Sequence, residues 1–198
     1  MNESAVGYTL GSVQTPDQLQ RVWSFAASIV RLPAGPHTLE HYLARLAESP
    51  QLLVVAERED RTCGCVLASL EGDHVLVGAV AVAEDSRRMG IGTAMMQELE
   101  ERAKGMGQHT LVLGAREGAE AFYLSCGFQP NLFIQLPRLN AGDQLQSLNV
   151  KYEVIGSWEQ DGWSRLMLGT PTVDKGLQRE YESRFPDCTT QYVFMKRI

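Results

Sequence analysis

The sequence predicts an α/β protein in which a mixed, mostly antiparallel sheet is flanked by helices and followed by a C-terminal ββαβ extension. Two stretches near the start place apolar residues at helical spacing, three runs between residues 52 and 82 are strand-like, and a glycine-containing turn then opens a long amphipathic helix. With 198 residues, 44% of them hydrophobic, the chain can form one large domain or one domain with an appendage.

Thr15-Pro16-Asp17 supplies an N-cap and a proline for the first turn of a helix whose inner face is Leu19, Val22, Trp23, Ala26, Ile29 and Val30, ending near Arg31. Pro33 and Pro36 bracket a turn, and Thr38 caps a second helix with Leu39, Tyr42, Leu43 and Leu46 on one face. Leu52–Ala56, Thr62–Leu70 and His74–Val82 are strands joined by short polar links, which implies an antiparallel meander. Gly78 interrupts the third, where glycine marks a bulge or a close backbone approach.

Ile91, Met95, Leu99 and Ala103 form the stripe of the long helix, with Glu98–Arg102 and Glu100–Lys104 as favourable pairs, and Gly105-Met106-Gly107 stops it. Thr110–Leu113 is a short strand, reached by a right-handed crossover between parallel strands. Ala119, Phe122, Tyr123 and Cys126 face inward on a further helix that Gly127 closes in a left-handed conformation. Beyond Pro130 the pattern predicts a strand at Leu132–Leu136, a polar connection at Pro137–Gln146, and a hairpin of Val150–Ile155 with Trp163–Leu168 around Glu159-Gln160-Asp161-Gly162. A helix over Val173–Phe185 and a strand over Gln191–Met195 follow. The expected division is a core at 1–137 and an extension at 138–198, whose last strand could complete the core sheet.

The formal net charge of -6 argues against nucleic acid or acidic membranes as partners, so any anion must be bound locally. Met1-Asn2-Glu3-Ser4 opens no signal peptide and no apolar window is long enough to span a bilayer, so a cytoplasmic location is expected. Cys63, Cys65, Cys126 and Cys188 lack a zinc-binding spacing, so no metal is expected and the cysteines read as reduced thiols.

Gly90-Ile91-Gly92 follows a strand and opens a helix. Backbone N–H groups at a helix start are unpaired, and glycine lets a phosphate oxygen approach them; Arg87 and Arg88 add charge. The plain alternative is a helix entry that needs glycine for packing. A dinucleotide fingerprint fits poorly because Met95 stands where a third small residue belongs, and the Gly-Lys-Ser/Thr of a Walker loop is absent.

The segment Val82 to Gly92, with Arg87-x-x-Gly90-x-Gly92, resembles the strand-to-helix signature of the GNAT superfamily of acyl-coenzyme A-dependent N-acetyltransferases. Ala119-Glu120-Ala121-Phe122-Tyr123-Leu124-Ser125-Cys126-Gly127-Phe128 is similar to that family's second signature. The resemblance covers roughly residues 5 to 136, and Tyr192–Lys196 looks like the family's last strand. It implies a sheet that splays to admit the pantetheine arm of acetyl-coenzyme A, held by backbone groups of Val80 and Val82. The amides of Met89, Gly90, Ile91, Gly92, Thr93 and Ala94 would hold the diphosphate, with Arg87 and Arg88 beside them. Arg116, in place of a common asparagine, could reach a coenzyme phosphate or stand as an ordinary exposed arginine. Glu84 likewise replaces a common proline.

By the same resemblance Tyr123 is the candidate general acid, with a simple core tyrosine as the alternative. The general base is unassigned. Several relatives carry a glutamate in the strand before the turn, whereas Val75–Val82 contains no ionisable side chain. Glu71, Asp73, His74 and Glu84 could act through water, and His37 and His41 border the helix that walls the acceptor site in the family. The implied activity is acetyl transfer from acetyl-coenzyme A to a primary amine of a small-molecule or peptide acceptor. A coenzyme A-binding regulatory module and a non-acetyl acyltransferase are the alternatives. The extension could cover the acceptor cleft, add a homodimer surface through Trp158 and Trp163, or extend the core.

Overall fold

Thr15 and Thr38 open the first two helices, as their side chains predict. In the computed structural model, which describes residues 7–30, 38–149 and 151–198, Thr15 Oγ1 accepts from the Gln18 amide and Thr38 Oγ1 from the His41 amide, each at 3.2 Å. Each bond satisfies an N–H that a helix start leaves unpaired. The expected helix end at Arg31, the turn at Pro33 and Pro36, His37 and Val150 lie outside the described residues.

The chain divides into two units, Met1–Val112 with Arg197–Ile198, and Leu113–Lys196. The first holds β1 (Thr9–Ser12), α1 (Pro16–Ile29), α2 (Leu39–Arg45), β2 (Leu53–Arg58), β3 (Arg61–Glu71), β4 (His74–Val82) and α3 (Ile91–Gly105), and β5 (Thr110–Gly114) crosses the boundary. The predicted meander is present, with β2, β3 and β4 paired antiparallel in sequence order. β1 is not among the predicted strands. That strand has no apolar alternation to announce it and is held by pairing with β2, Thr9 opposite Glu57 and Ser12 opposite Val54. Arg102 of α3 fastens it further, donating to Ser12 Oγ (2.7 Å), Gly11 O (3.4 Å) and Gln51 O (3.2 Å).

Gly78 is a bulge. Leu67 pairs with Ala79 and Ala68 with Val77, so Gly78 has no partner on β3. On one face of the sheet, Leu19, Val22 and Ala26 of α1 and Tyr42 of α2 bury themselves against Leu53, Val55, Cys65, Leu67, Ala79 and Ala81. At about 1.5–3 kcal/mol per fully buried aliphatic side chain, this layer is a principal source of the unit's stability. Leu43, expected on the inner face of α2, is 39% exposed, because the packed stripe is carried by Tyr42 and Leu46. The α3 stripe is buried as expected. It approaches β3 closely, since a Cβ at Gly64 would stand 2.8 Å from Met95 Cε. Cys63 and Cys65 are buried free thiols, and burial pushes the Cys65 thiol up to about 12.

The second unit holds α4 (Glu120–Ser125), β6 (Gln129–Leu136), α5 (Gly142–Ser147), β7 (Glu153–Gln160), β8 (Trp163–Gly169), α6 (Lys175–Arg184) and most of β9 (Thr189–Arg197). The expected ββαβ order is present as β7, β8, α6 and β9. Its strands lie in the order β9-β6-β8-β7, all antiparallel. The β7–β8 hairpin turns on Asp161 and Gly162, both with positive φ (53° and 83°), the signature of a two-residue primed turn. β7 therefore runs on to Gln160, further than expected.

The expected polar connection over Pro137–Gln146 instead contains α5. The helix forms because Leu145 and Ala141 are fully buried, while Ser164 Oγ accepts from the Ala141 amide (3.1 Å) and donates to Arg138 O (2.6 Å). Tyr181 of α6 donates to Leu145 O at 2.8 Å, closing the same corner. Two apolar residues in a polar stretch are too sparse to show helical periodicity, so packing decides this element.

Candidate active site

The anion site expected from the sequence falls on the turn between β4 and α3, in the first unit. Ala83 leaves β4 by donating to Cys63 O (2.8 Å), and Glu84–Ser86 form one 3-10 turn. Arg88 (φ 63°) and Gly90 (φ 79°) are both left-handed, and Gly90 is the N-cap of α3. A Cβ at Gly90 would meet nothing within 4 Å, so glycine is required there for backbone conformation rather than space. Ile91 is buried and anchors the helix start.

The Ala94 amide donates to Gly90 O (2.9 Å), the first bond of the helix. The amides of Ile91, Gly92 and Thr93 therefore lead out of the helix end, where the dipole is positive. Of the amides expected to hold an anion, Ala94's is already engaged. Arg87 is exposed and its Nε donates to Val82 O (3.3 Å), while Arg88 is exposed with no side-chain partner among the described residues. Arg58 reaches the same turn from the end of β2, with Nη1 3.8 Å from Met89 Sδ, a neighbour the sequence reading missed. Val80 and Val82 are half-buried on β4, alternating with the fully packed Ala79 and Ala81.

In the second unit Tyr123 lies on α4 with 9% of its surface exposed. Its ring meets Phe122 (5.1 Å between centroids), Phe128 (6.1 Å) and Phe194 (5.8 Å). Gly127 (φ 84°) reverses the chain after α4, and the Phe128 amide donates to Tyr123 O (3.1 Å). Burial, with Cys126 beside it, pushes the Tyr123 phenol up to about 12. The group is thus a neutral O–H across the physiological range, the form that can donate a proton. Arg116 is exposed.

The residues weighed as bases are dispersed along the first unit. Glu71 accepts from Ser69 Oγ (3.2 Å) and Arg45 Nη2 (3.4 Å) and lies 3.8 Å from His41 Nε2. Desolvation and then Arg45 lower the His41 pKa, against the opposing pull of Glu71. Arg45 and Ser69 could not be found from the sequence, because nothing in it says that α2 meets the end of β3. Asp73 and His74 pair with each other at 3.3 Å, Asp73 in solvent, and Glu84 is exposed. Among the described residues no group of three or more His, Cys, Asp and Glu could hold a metal ion, and no helix is long and apolar enough to cross a membrane.

A family model described as the acetyltransferase (GNAT) family matches residues 17–128. No curated protein matches the chain. Among solved structures, Arabidopsis thaliana Naa50 in complex with the bisubstrate analogue CoA-Ac-MVNAL is 14% identical, with 98% of this chain and 100% of that one covered at a TM-score of 0.58. The ribosomal-protein-S18-alanine N-acetyltransferase from Escherichia coli is 20% identical, with 85% and 96% covered at 0.53. Ard1 from Thermoplasma volcanium is 19% identical, with 85% and 100% covered at 0.53. At these identities the likeness is one of fold, a mixed and mostly antiparallel α/β arrangement.

Proposed function

The chain belongs to the acetyltransferase (GNAT) family, and from that premise we propose that it transfers an acetyl group from acetyl-coenzyme A to the primary amine of a peptide or small-molecule acceptor. The observation that carries this reading is the β4–α3 turn, where left-handed Gly90 opens a fifteen-residue helix beside Arg87 and Arg88. The amides of Met89 to Thr93 and the two arginines would hold the diphosphate, with Arg116 reserved for a further phosphate. Backbone groups of Val80 and Val82 would align the pantetheine and its thioester. Residues 1–137 would form the acyl-coenzyme A core and 138–198 its extension.

An alkylamine is protonated near neutrality, so it must first lose a proton, for which no side chain of Val75–Val82 is equipped. Its nitrogen then attacks the thioester carbonyl carbon, and a backbone N–H stabilises the oxyanion. As the tetrahedral intermediate collapses the C–S bond breaks, the nitrogen gives up its second proton to solvent, and the amide remains. The Tyr123 phenol gives its proton to the departing sulfur and recovers one from solvent.

One observation favours a second reading, a coenzyme A-binding module with little catalysis: Val75–Val82 presents no ionisable side chain. Thiol release from acetyl-coenzyme A against a panel of amines, with coenzyme binding measured in parallel, separates the two. The bisubstrate analogue bound by Naa50 puts N-terminal peptides first on that panel. Turnover with at least one amine is expected. Binding without turnover on any amine selects the module, longer acyl donors test acyl preference, and absence of binding removes both readings.

A further inference from the structure

We propose that Lys175 is a positioning residue for α4, so that the C-terminal extension braces the helix carrying Tyr123; this rests on Tyr123 acting as the general acid. α4 has six residues and its N-cap, Ala119, supplies no side-chain bond. A helix so short does not hold its own place, since nucleation costs more than one turn of hydrogen bonds returns. Its first residue does the fastening. The Glu120 carboxylate accepts from the Gly118 amide (2.6 Å) through Oε2 and pairs through Oε1 with Lys175 Nζ (3.0 Å). The Glu120 side chain is only 15% exposed, so this pair is screened less than a surface one.

Lys175 is itself the first residue of α6, and the structure fixes the backbone from which it projects. Asp174 caps α6 by accepting from the Leu177 amide (2.9 Å). Its other oxygen accepts from Tyr152 Oη (2.7 Å) and pairs with Lys151 Nζ (3.4 Å). The Asp174 amide donates to Tyr192 Oη (2.6 Å), and that hydroxyl donates to Asp174 O (3.1 Å). Lys175 Nζ also stands 5.8 Å from the Tyr192 ring centroid. The ammonium is thus held between β9 and α4. Glu120 and Tyr123 are three residues apart, neighbours on one flank of the helix, so release of Glu120 lets the phenol turn with it.

The test compares Lys175→Met with Lys175→Arg in the full-length protein. The Met variant is expected to lose about tenfold in kcat at saturating substrates, the scale of effect expected from slight misplacement of a reacting group. Its KM for acetyl-coenzyme A and its coenzyme affinity should stay as in the parent, its melting midpoint should move by no more than about 3 °C, and the Arg variant should restore kcat. In a Tyr123→Phe background Lys175→Met should cost nothing further. If Tyr123→Phe lowers kcat while Lys175→Met leaves it alone, the brace is refuted and the acid survives. If Tyr123→Phe has no effect, the acid reading falls and takes the brace with it. A loss of kcat that tracks a loss of folded protein, or that persists undiminished in the Phe background, also overturns the proposal.

Discussion

The β4–α3 turn of the first unit and helix α4 of the second are held by different means. The turn takes its shape from two left-handed residues, Arg88 and Gly90, and presents amides that no substitution short of proline can remove. α4 takes its place from side chains, the Glu120–Lys175 pair at one end and the Tyr123, Phe128 and Phe194 rings along its length. A site made of backbone fails when conformation fails, whereas a site made of side chains can be dismantled one contact at a time.

The largest effect should come from Tyr123→Phe. It keeps the ring packing and deletes only the O–H, so kcat should fall by about 100-fold with little change in KM or melting, as loss of a general acid requires. Unchanged single-turnover thiol release would leave Tyr123 as a core residue and erase the contrast. Next in size is Gly90→Val, which forces a branched side chain into a left-handed backbone at a cost of at least about 1–2 kcal/mol. Coenzyme affinity, read by calorimetry, should drop by roughly tenfold, since 1.4 kcal/mol is a factor of ten. Arg88→Asn should keep the turn, because asparagine tolerates that conformation, and lose only the contribution of the charge. If both variants bind equally well, the turn is not held by its backbone.

A stability effect should come from Ser164→Ala in the second unit. It orphans the buried Ala141 amide, while Arg138 O keeps its bond from the Ser164 amide (3.0 Å), and should cost about 1–3 kcal/mol, visible as a lowered melting midpoint with turnover intact at low temperature. The smallest effect concerns acid. The Leu177 amide, the Tyr152 hydroxyl and Lys151 hold the Asp174 carboxyl down to about 2, from an ordinary 3.8. A carboxyl depressed on folding stabilises fully above its unfolded pKa, and the benefit is lost as pH falls from about 4 to about 2. Acid titration of Asp174→Asn should therefore show a shallower loss of stability in that window than the parent, and coincident curves would remove Asp174 from the account.

The same contrast governs what could be read from the sequence. The turn is legible because glycine at a strand-to-helix junction, arginines beside it and a four-residue apolar stripe behind it are local signals. Gly127 and the Asp161-Gly162 turn are legible for the same reason, since each position demands a positive φ that few residues adopt, and Gly78 is legible because a glycine inside a strand marks a bulge. The fastening of α4 is not legible. Glu120 and Lys175 are ordinary surface charges in a sequence, 55 positions apart, and only the fold makes them neighbours. α5 and β1 were missed because Leu145 and Ser12 are held by distant partners, Tyr181 and Arg102, rather than by any periodicity of their own. The cluster of Arg45, Ser69 and His41 around Glu71 was hidden in the same way.

The unpartnered glycine of β4 has a consequence for insertion and deletion. Leu67 opposes Ala79 and Ala68 opposes Val77, so β4 is one residue longer than its ladder with β3 requires. Excision of that single codon would leave every existing pair between the strands intact and every neighbouring side chain on its present face, because the break in register and the extra residue cancel. The gene therefore offers a defined edit: a chain shorter by one residue, with its β3–β4 pairing preserved and the local bend removed.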